Sequence, residues 1–178
     1  MNCSSRWGRC YGFGAQAVTL YGVPRLSADD GITLALAPDD PEFISREMGT
    51  NGFALRVDDA DFVRRTRVMP FVHVATGMPL DVVLASSVRG DDFLDRAKAV
   101  DLGGANARVI GLADLIIAKI LAGRSKDLDD VASLWRLHRN VLDVDRILGT
   151  LRLLEEALNQ SDLLPEFNAI ADRAERKY

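Results

Sequence analysis

The pattern of hydrophobic residues changes near residue 111, and this change restricts the possible folds more than any other feature. Before it, short runs of β-forming residues such as 32–36 are separated by glycine, proline and aspartate. After it, apolar residues recur with helical spacing almost to the last residue. Strands followed by helices predict an α/β (α+β) fold, a small mixed sheet flanked by helices with a helical C-terminal part.

The two periodicities also predict the individual elements. Residues 11–22 read as the end of a strand running into a short helix, and further strands are expected at 32–36, 53–56, 67–74, 80–85 and 107–110. Helices are expected at 41–49, 91–97, 112–122, 126–138, 143–159 and 165–176. Pro70 should give its strand a kink or the character of an edge strand. We therefore expect an irregular lead-in at 1–10, an α/β core at 11–110 and a helical part at 111–178 packed on that core.

Composition excludes several classes of protein. The 178 residues are enough for one domain with a real core, and the net charge of −4 excludes a globally basic nucleic-acid binder. The basic run Arg64, Arg65 and Arg67 is interpreted as a solvated strand or turn, with contact to a nucleic-acid acceptor as the alternative. No run of 18 apolar residues and no signal peptide is present, so we expect no membrane contact and a cytoplasmic protein. Reduced thiols are expected for the two cysteines, Cys3 and Cys10.

Three patches of residues have the composition of a nucleotide site. The first runs from Gly14 to Asp29, the second is Asp81 within the apolar run 80–84, and the third runs from Asp114 to Asp130. Magnesium prefers oxygen ligands and commonly binds through one or two carboxylates together with substrate phosphates. Basic side chains hold those phosphates by charge-assisted contacts. Two strand carboxylates and a basic cluster therefore predict a site for a triphosphate and Mg²⁺.

The two carboxylates each have an alternative interpretation. Asp81 would be costly to bury among apolar neighbours without a partner or a metal, but it would carry no role at the exposed end of a strand. Asp29 follows a turn, where an aspartate also serves as a helix cap or turn residue. Gly31, two residues further along and on the same face as Asp29 in a regular strand, provides no second carboxylate. Asp30 replaces it only if a bulge shifts the strand, because neighbouring strand residues face opposite ways.

The remaining candidates are open in the same way. Gly14 either lets its backbone approach the phosphates or serves simple packing. Lys119, among Ile116, Ile117 and Ile120, either binds phosphate or extends to solvent without a role. Arg124 and Asp127 are three residues apart, which is also the spacing of a surface salt bridge.

Together the patches resemble the nucleotidyltransferase superfamily, close to the group related to abortive-infection type II toxins (AbiEii-like) and its bacterial relatives. Gly14-Ala15 followed by Asp29 resembles the superfamily's first motif, and Asp81 matches its separate third carboxylate. The toxin-related group carries, in order, the residue types found here at Lys119, Arg124, Lys126, Asp127 and Asp130. The resemblance covers roughly residues 11–138.

The resemblance implies Mg²⁺-dependent transfer of a nucleoside monophosphate from an NTP to a hydroxyl acceptor. It implies Asp29 and Asp81 as catalytic metal ligands in a two-ion site that Gly31 leaves short of one carboxylate. It further implies contacts to the nucleotide from Gly14, Ser27, Lys119, Arg124, Lys126, Asp127 and Asp130. The acceptor would be an RNA or a protein, and a toxin of this kind would have a cognate antitoxin.

Two other classes of function remain open from the sequence. One is a degenerate member of the same fold that binds a nucleotide or a partner without transferring anything, which Gly31 favours. The other is a structural or interaction module that works with a partner encoded beside it.

Overall fold

The computed structural model describes residues 10–24, 32–36, 40–57, 59–84, 90–101 and 106–176. The predicted site residues Ser27 and Asp29 lie outside these ranges, as do Asp30 and Gly31. The chain divides into two compact units, residues 1–17 with 25–110 and residues 18–24 with 111–178. We call them the sheet unit and the helical unit, and each is described separately.

The described part of the sheet unit contains one mixed sheet. Its strands are β1 (Cys10–Phe13), β2 (Ile32–Leu36), β3 (Phe53–Leu55), β4 (Val68–His73), β5 (Pro79–Leu84), β6 (Lys98–Asp101) and β7 (Asn106–Val109). They lie in the order β3-β4-β5-β2-β1-β7-β6. β2 is parallel to β5 and β1 to β7, whereas the other neighbours are antiparallel. This sheet, with its flanking helices, confirms the predicted fold class.

The described helices that begin within the first 110 residues are short. They are α1 (Ala15–Leu20), α2 (Pro41–Thr50), α3 (Ala60–Thr66) and α4 (Gly90–Arg96). Asp40 caps α2 by accepting a hydrogen bond from the backbone N–H of Phe43 at 2.9 Å, and Pro41 follows as the first helical residue. Arg64 and Arg65 lie in α3, so the interpretation of that run as a strand or turn is wrong for them. Asp59 caps this unpredicted helix, accepting from Asp61 and Phe62.

One face of the sheet carries the core of the sheet unit. Alternate residues of β5 are buried there, and they pack with Phe71 of β4 and with Ile44 and Met48 of α2. The members taken from β5 are Leu80, Val82 and Leu84. Because strand side chains alternate between faces, the intervening residues of β5 lie on the opposite face.

Pro70 lies inside the sheet, because β4 has β3 on one side and β5 on the other. The expectation of an edge strand is therefore wrong. Its carbonyl accepts a hydrogen bond from the N–H of Arg56 at 2.8 Å, but proline has no N–H to donate in return. The β3–β4 ladder runs from Phe53 to Leu55 and ends there, just before the missing donor.

Four helices form most of the helical unit, and they match the predicted bounds closely. They are α5 (Leu112–Ala122), α6 (Ser125–His138), α7 (Val144–Leu158) and α8 (Leu163–Glu175), with a 3-10 turn at Arg139–Val141. α5 is buried on nearly every side and packs against each of the other three. Trp135 of α6 and Phe167 of α8 meet edge to face at 5.4 Å between ring centroids.

Cys10 is fully buried and disulfide-bonded, so the expectation of reduced thiols is wrong for this residue. Cys3 lies outside the described residues. No helix in the described ranges is both long and apolar enough to cross a bilayer.

Candidate active site

Asp81 is the third residue of β5, and its position within the strand decides its environment. Its neighbours Leu80 and Val82 point into the core, so Asp81 lies on the opposite face, with 45% of its side chain exposed. It lies inside the strand rather than at its end. A carboxylate at this exposure avoids the cost of full burial and stays accessible to a ligand.

Arg56 forms an ion pair with Asp81. Its Nη2 donates to Asp81 Oδ1 at 2.7 Å, and 42% of the arginine side chain is exposed. The backbone of Arg56 bonds Pro70, and Pro70 is paired with Asp81 in the β4–β5 register. These three residues therefore form a row across the sheet, and the side chain of Arg56 reaches Asp81 across the strand that contains Pro70.

Sequence reasoning did not identify Arg56 as a site residue. In the sequence, Arg56 is a single basic residue after a short apolar strand, and many exposed arginines without a function occur in such a position. Its proximity to Asp81 depends on the strand order, because 25 residues separate the two along the chain.

β2 is the parallel neighbour of β5 on the side away from β4. The register places Thr33 beside Asp81. The predicted partner Asp29 precedes β2 in the sequence and lies outside the described residues. Its approach to Asp81 therefore stays a prediction, and so does the role of Ser27.

The donor chemistry around Asp81 suits a hard divalent cation. Its carboxylate supplies the oxygen donor that Mg²⁺ prefers, and one or two carboxylates with substrate phosphates form a common Mg²⁺ site. Within the described ranges, no group of three or more His, Cys, Asp or Glu side chains could hold a metal ion. Asp81 is thus the residue on which a proposal of metal binding rests.

Gly14 lies between β1 and α1 with a φ of +82°. This left-handed backbone conformation favours glycine, since a β-carbon would be strained there. The turn therefore requires a glycine for its backbone geometry. Contact of Gly14 with phosphate stays a prediction.

Lys119 occupies a buried ionic cluster in the helical unit. Its Nζ lies 2.8 Å from Asp127 Oδ1 and 2.7 Å from Asp130 Oδ2, and all three side chains are less than 10% exposed. Lys119 is in α5, whereas both aspartates are on the same side of α6. The alternative in which Lys119 extends to solvent is therefore wrong. The ion pairs between Lys119 and the two aspartates join α5 to α6, and this structural role explains why the three residues occur at these positions.

Arg124 completes this cluster from its edge. Its Nε lies 2.5 Å from Asp127 Oδ2, and 63% of its side chain is exposed. Burial alone would raise the pKa of Asp127, but hydrogen bonds from Arg124 and Lys119 and the charges of both outweigh it. The pKa of Asp127 is consequently lower than its usual value, and the carboxylate stays ionised at neutral pH.

Lys126, the second residue of α6, is exposed to solvent. The structure thus brings together Lys119, Arg124, Asp127 and Asp130 but leaves Lys126 at the surface. Nucleotide contact by these five residues stays a prediction.

A second buried ion pair joins α5 to α7. Asp114 is fully buried, and its Oδ1 lies 2.9 Å from Nη2 of Arg146. Asp114 begins the third patch of the sequence, and the sequence alone assigned it no role. Together with the Lys119 cluster, this pair explains why α5 contains charged residues although it is the most apolar helix.

Two solved structures share a similar fold with this chain. One is the solution structure of the antibiotic-resistance factor ANT(2'')-Ia, with a TM-score of 0.53, 12% identity and 85% of each chain covered. Another is an antigenic nucleotidyltransferase-like protein from Paracoccidioides brasiliensis, with a TM-score of 0.51, 14% identity, and 88% of this chain and 84% of that chain covered. At these identities the likeness shows the fold, which is nucleotidyltransferase-like.

The sequence itself shows the family. Residues 55–163, more than half of the chain, match the family described as nucleotidyltransferase of unknown function (DUF6036). The chain belongs to this family. A comparison with curated proteins found no match.

Proposed function

We propose that this protein transfers a nucleoside monophosphate from an NTP to a hydroxyl acceptor in a Mg²⁺-dependent reaction that releases pyrophosphate. The observation that carries the proposal is Asp81, an accessible carboxylate on an inner strand of a chain that belongs to a nucleotidyltransferase family. Asp29 would supply a second carboxylate. Mg²⁺ at these residues would neutralise phosphate charge and activate the acceptor hydroxyl.

The chain's own residues would divide the remaining work. Gly14 and Ser27 would lie against the triphosphate, where backbone N–H groups and a hydroxyl donate hydrogen bonds. Lys119, Asp127 and Asp130 would hold the start of α6 in place, so that Arg124 and Lys126 present positive charge to the nucleotide. The exposure of Arg124 and Lys126 supports this division, since a group must be accessible to bind a ligand.

A transfer assay tests the proposal. Purified protein is incubated with each α-³²P-labelled NTP, Mg²⁺ and either total RNA or total protein as acceptor. We expect label to enter one acceptor class and to be lost in Asp81→Asn, because the amide removes the ionised oxygen ligand. Asp92→Asn, which changes an exposed aspartate of α4, is the matched control and should retain activity. Equal activity in Asp81→Asn and the wild type would contradict the proposal.

We also propose that the protein acts in the cytoplasm as the toxin of a toxin–antitoxin pair. The resemblance at Lys119, Arg124, Lys126, Asp127 and Asp130 supports this assignment. Induced expression in a bacterial host should slow growth, and Asp81→Asn should relieve the effect at equal protein level. Growth inhibition that persists in Asp81→Asn would separate toxicity from transfer.

A second candidate is a non-catalytic member that binds a nucleotide or a partner. Gly31 favours it because one expected carboxylate is missing, and the ion pair of Asp81 with Arg56 favours it because a cation already neutralises the remaining one. Variants at residues 30 and 31 test the second candidate. If Gly31 marks a lost metal ligand, Gly31→Asp should tighten Mg²⁺-dependent nucleotide binding. If a bulge makes Asp30 the ligand, Asp30→Ala should abolish transfer and Gly31→Asp should damage the site. Inactivity of the wild type and both variants, with nucleotide still bound, would support the second candidate.

A further inference from the structure

We propose that Arg56 is a built-in competitor of the divalent cation at Asp81, and that it binds a nucleotide phosphate once the cation has displaced it. This inference rests on the proposed function, because it takes Asp81 as a metal ligand. It adds a residue that lies outside all three patches of the sequence and gives it a role in both states of the site.

The backbone places Arg56 where it can reach Asp81. Arg56 directly follows β3, and its N–H is held by the carbonyl of Pro70 in β4. Pro70 is in register with Asp81 of β5, so two strand spacings of about 4.8 Å each separate the arginine backbone from the aspartate backbone. An extended arginine side chain covers that distance, and its Nη2 lies 2.7 Å from Asp81 Oδ1.

Pro70 contributes to this arrangement because it returns no hydrogen bond to Arg56. Regular β3–β4 pairing ends at Leu55, so Arg56 is held by one backbone bond in place of a full ladder pair. Pro70 is itself buried, and it lies on the strand between the two charged residues. A larger side chain in this row would obstruct the contact between Arg56 and Asp81.

The ion pair is of the kind that a ligand can open. Both side chains are more than 40% exposed, and the contact involves one nitrogen and one oxygen rather than a bidentate fork. Exposed pairs of this kind contribute little to stability. A divalent cation carries twice the charge of the guanidinium group and binds oxygen more directly, so it would displace Arg56 from Asp81.

Displacement would leave the guanidinium group beside a metal-bound nucleotide. Arginine binds phosphate well, because its planar group presents several donors in a fixed geometry. The same residue would therefore oppose the metal when no nucleotide is present and stabilise the complex when a nucleotide is bound. Arg56 would thus weaken the binding of the metal alone and strengthen the binding of the nucleotide. A residue that only supports the fold would not have these opposite effects.

The test measures metal and nucleotide binding by the full-length protein, without any transfer assay. Mn²⁺ replaces Mg²⁺ as the probe, and free Mn²⁺ is followed by electron paramagnetic resonance. Arg56→Gln should bind Mn²⁺ alone about fivefold more tightly, the factor expected from removing an exposed ion pair worth about 1 kcal/mol. It should bind a non-hydrolysable NTP analogue with Mn²⁺ at least fivefold more weakly, as measured by calorimetry.

Two controls make the result specific. Arg65→Gln removes an exposed arginine from α3 and should leave both affinities unchanged. Arg56→Lys keeps the charge and should restore Mn²⁺ affinity to near the wild-type value. Circular dichroism confirms folding of each variant before binding is measured.

The outcomes separate this inference from the function on which it rests. If Asp81→Asn loses Mn²⁺ binding while Arg56→Gln matches the wild type for both ligands, Asp81 is a metal ligand and the role of Arg56 is overturned. If Asp81→Asn retains full Mn²⁺ binding, the proposed metal site fails and the competition fails with it. Tighter Mn²⁺ binding together with weaker nucleotide binding in Arg56→Gln supports the inference.

Discussion

Lys119 shows how burial changes the expected role of a single residue. The sequence presents it as a candidate phosphate ligand, but its ammonium group is enclosed by Asp127 and Asp130. Buried ion pairs are often no more stable than apolar replacements, yet breaking one leaves a buried charge without a partner. Removing Lys119 alone should therefore affect the stability of the fold before any effect on a ligand is measured.

We expect Lys119→Ala to lower the free energy of unfolding by about 3–5 kcal/mol, because two buried carboxylates lose a shared cation. Urea denaturation followed by circular dichroism measures this change. Lys126→Ala, seven residues further along and exposed, is the matched control and should stay within about 0.5 kcal/mol of the wild type. A Lys119→Ala protein as stable as the wild type would show that the cluster is not structural.

The helices illustrate the next scale, where local sequence decides the start of an element. Asp143 and Asp162 both precede helices of the helical unit, at α7 and α8. The side chain of Asp143 accepts a hydrogen bond from the N–H of Arg146 at 3.0 Å, whereas Asp162 makes no capping hydrogen bond from its side chain. Comparing the two positions therefore distinguishes the effect of a capping hydrogen bond from the effect of a carboxylate that only lies near a helix N-terminus.

Asp143→Ala should destabilise the protein by about 1 kcal/mol, the usual contribution of a capping side chain. Asp162→Ala should cost less, because only its interaction with the helix dipole is lost. Thermal and urea unfolding of both variants under the same conditions gives the comparison. Equal losses would mean that the charge, and not the capping bond, accounts for the effect.

β3 shows the limit of local reasoning at this scale. Its apolar residues predict a strand, and one is present, but the sequence does not show where the strand ends. The end is determined by Pro70, which is in register with the residue that follows β3 and lacks a donor. The same pairing brings Arg56 to Asp81, so a feature of the sheet creates a contact that no motif predicts.

At the scale of the whole molecule, buried ion pairs link the stability of the chain to pH. The pKa of Asp127 is lower in the folded state than in an unfolded chain, where it is about 3.9. Below that value the unfolded state binds a proton that the folded state resists, so acid favours unfolding. The stabilisation from Asp127 is fully present above about pH 4 and is lost as pH falls through the lower folded pKa.

We therefore expect the free energy of unfolding to fall as the pH drops below about 4, with little change from this group between about pH 5 and pH 7. Asp127→Asn should be less stable than the wild type at pH 7 and should show a shallower decline in acid. Urea titrations at a series of pH values measure both slopes. Parallel curves for the two proteins would contradict the assignment of the acid sensitivity to Asp127.

The sequence by itself determined the division into strands and helices and the place of most elements. Periods of two and of about 3.6 residues are local properties, so β5 and α5 to α8 lie close to their predicted positions. It also pointed to Asp81, since a carboxylate inside an apolar strand stands out without any knowledge of its neighbours. Family membership, shown by the match over residues 55–163, likewise resides in the sequence.

Only the tertiary structure decided which of these residues meet. It paired Asp81 with Arg56 across β4, and it enclosed Lys119 between α5 and α6. The strand order and the packing of helices depend on contacts between distant parts of the chain, and these leave no periodic signal in the sequence. A buried charge needs a partner, because burial without one is costly. The sequence of an apolar segment with a charged residue does not show whether that partner is a ligand or another side chain.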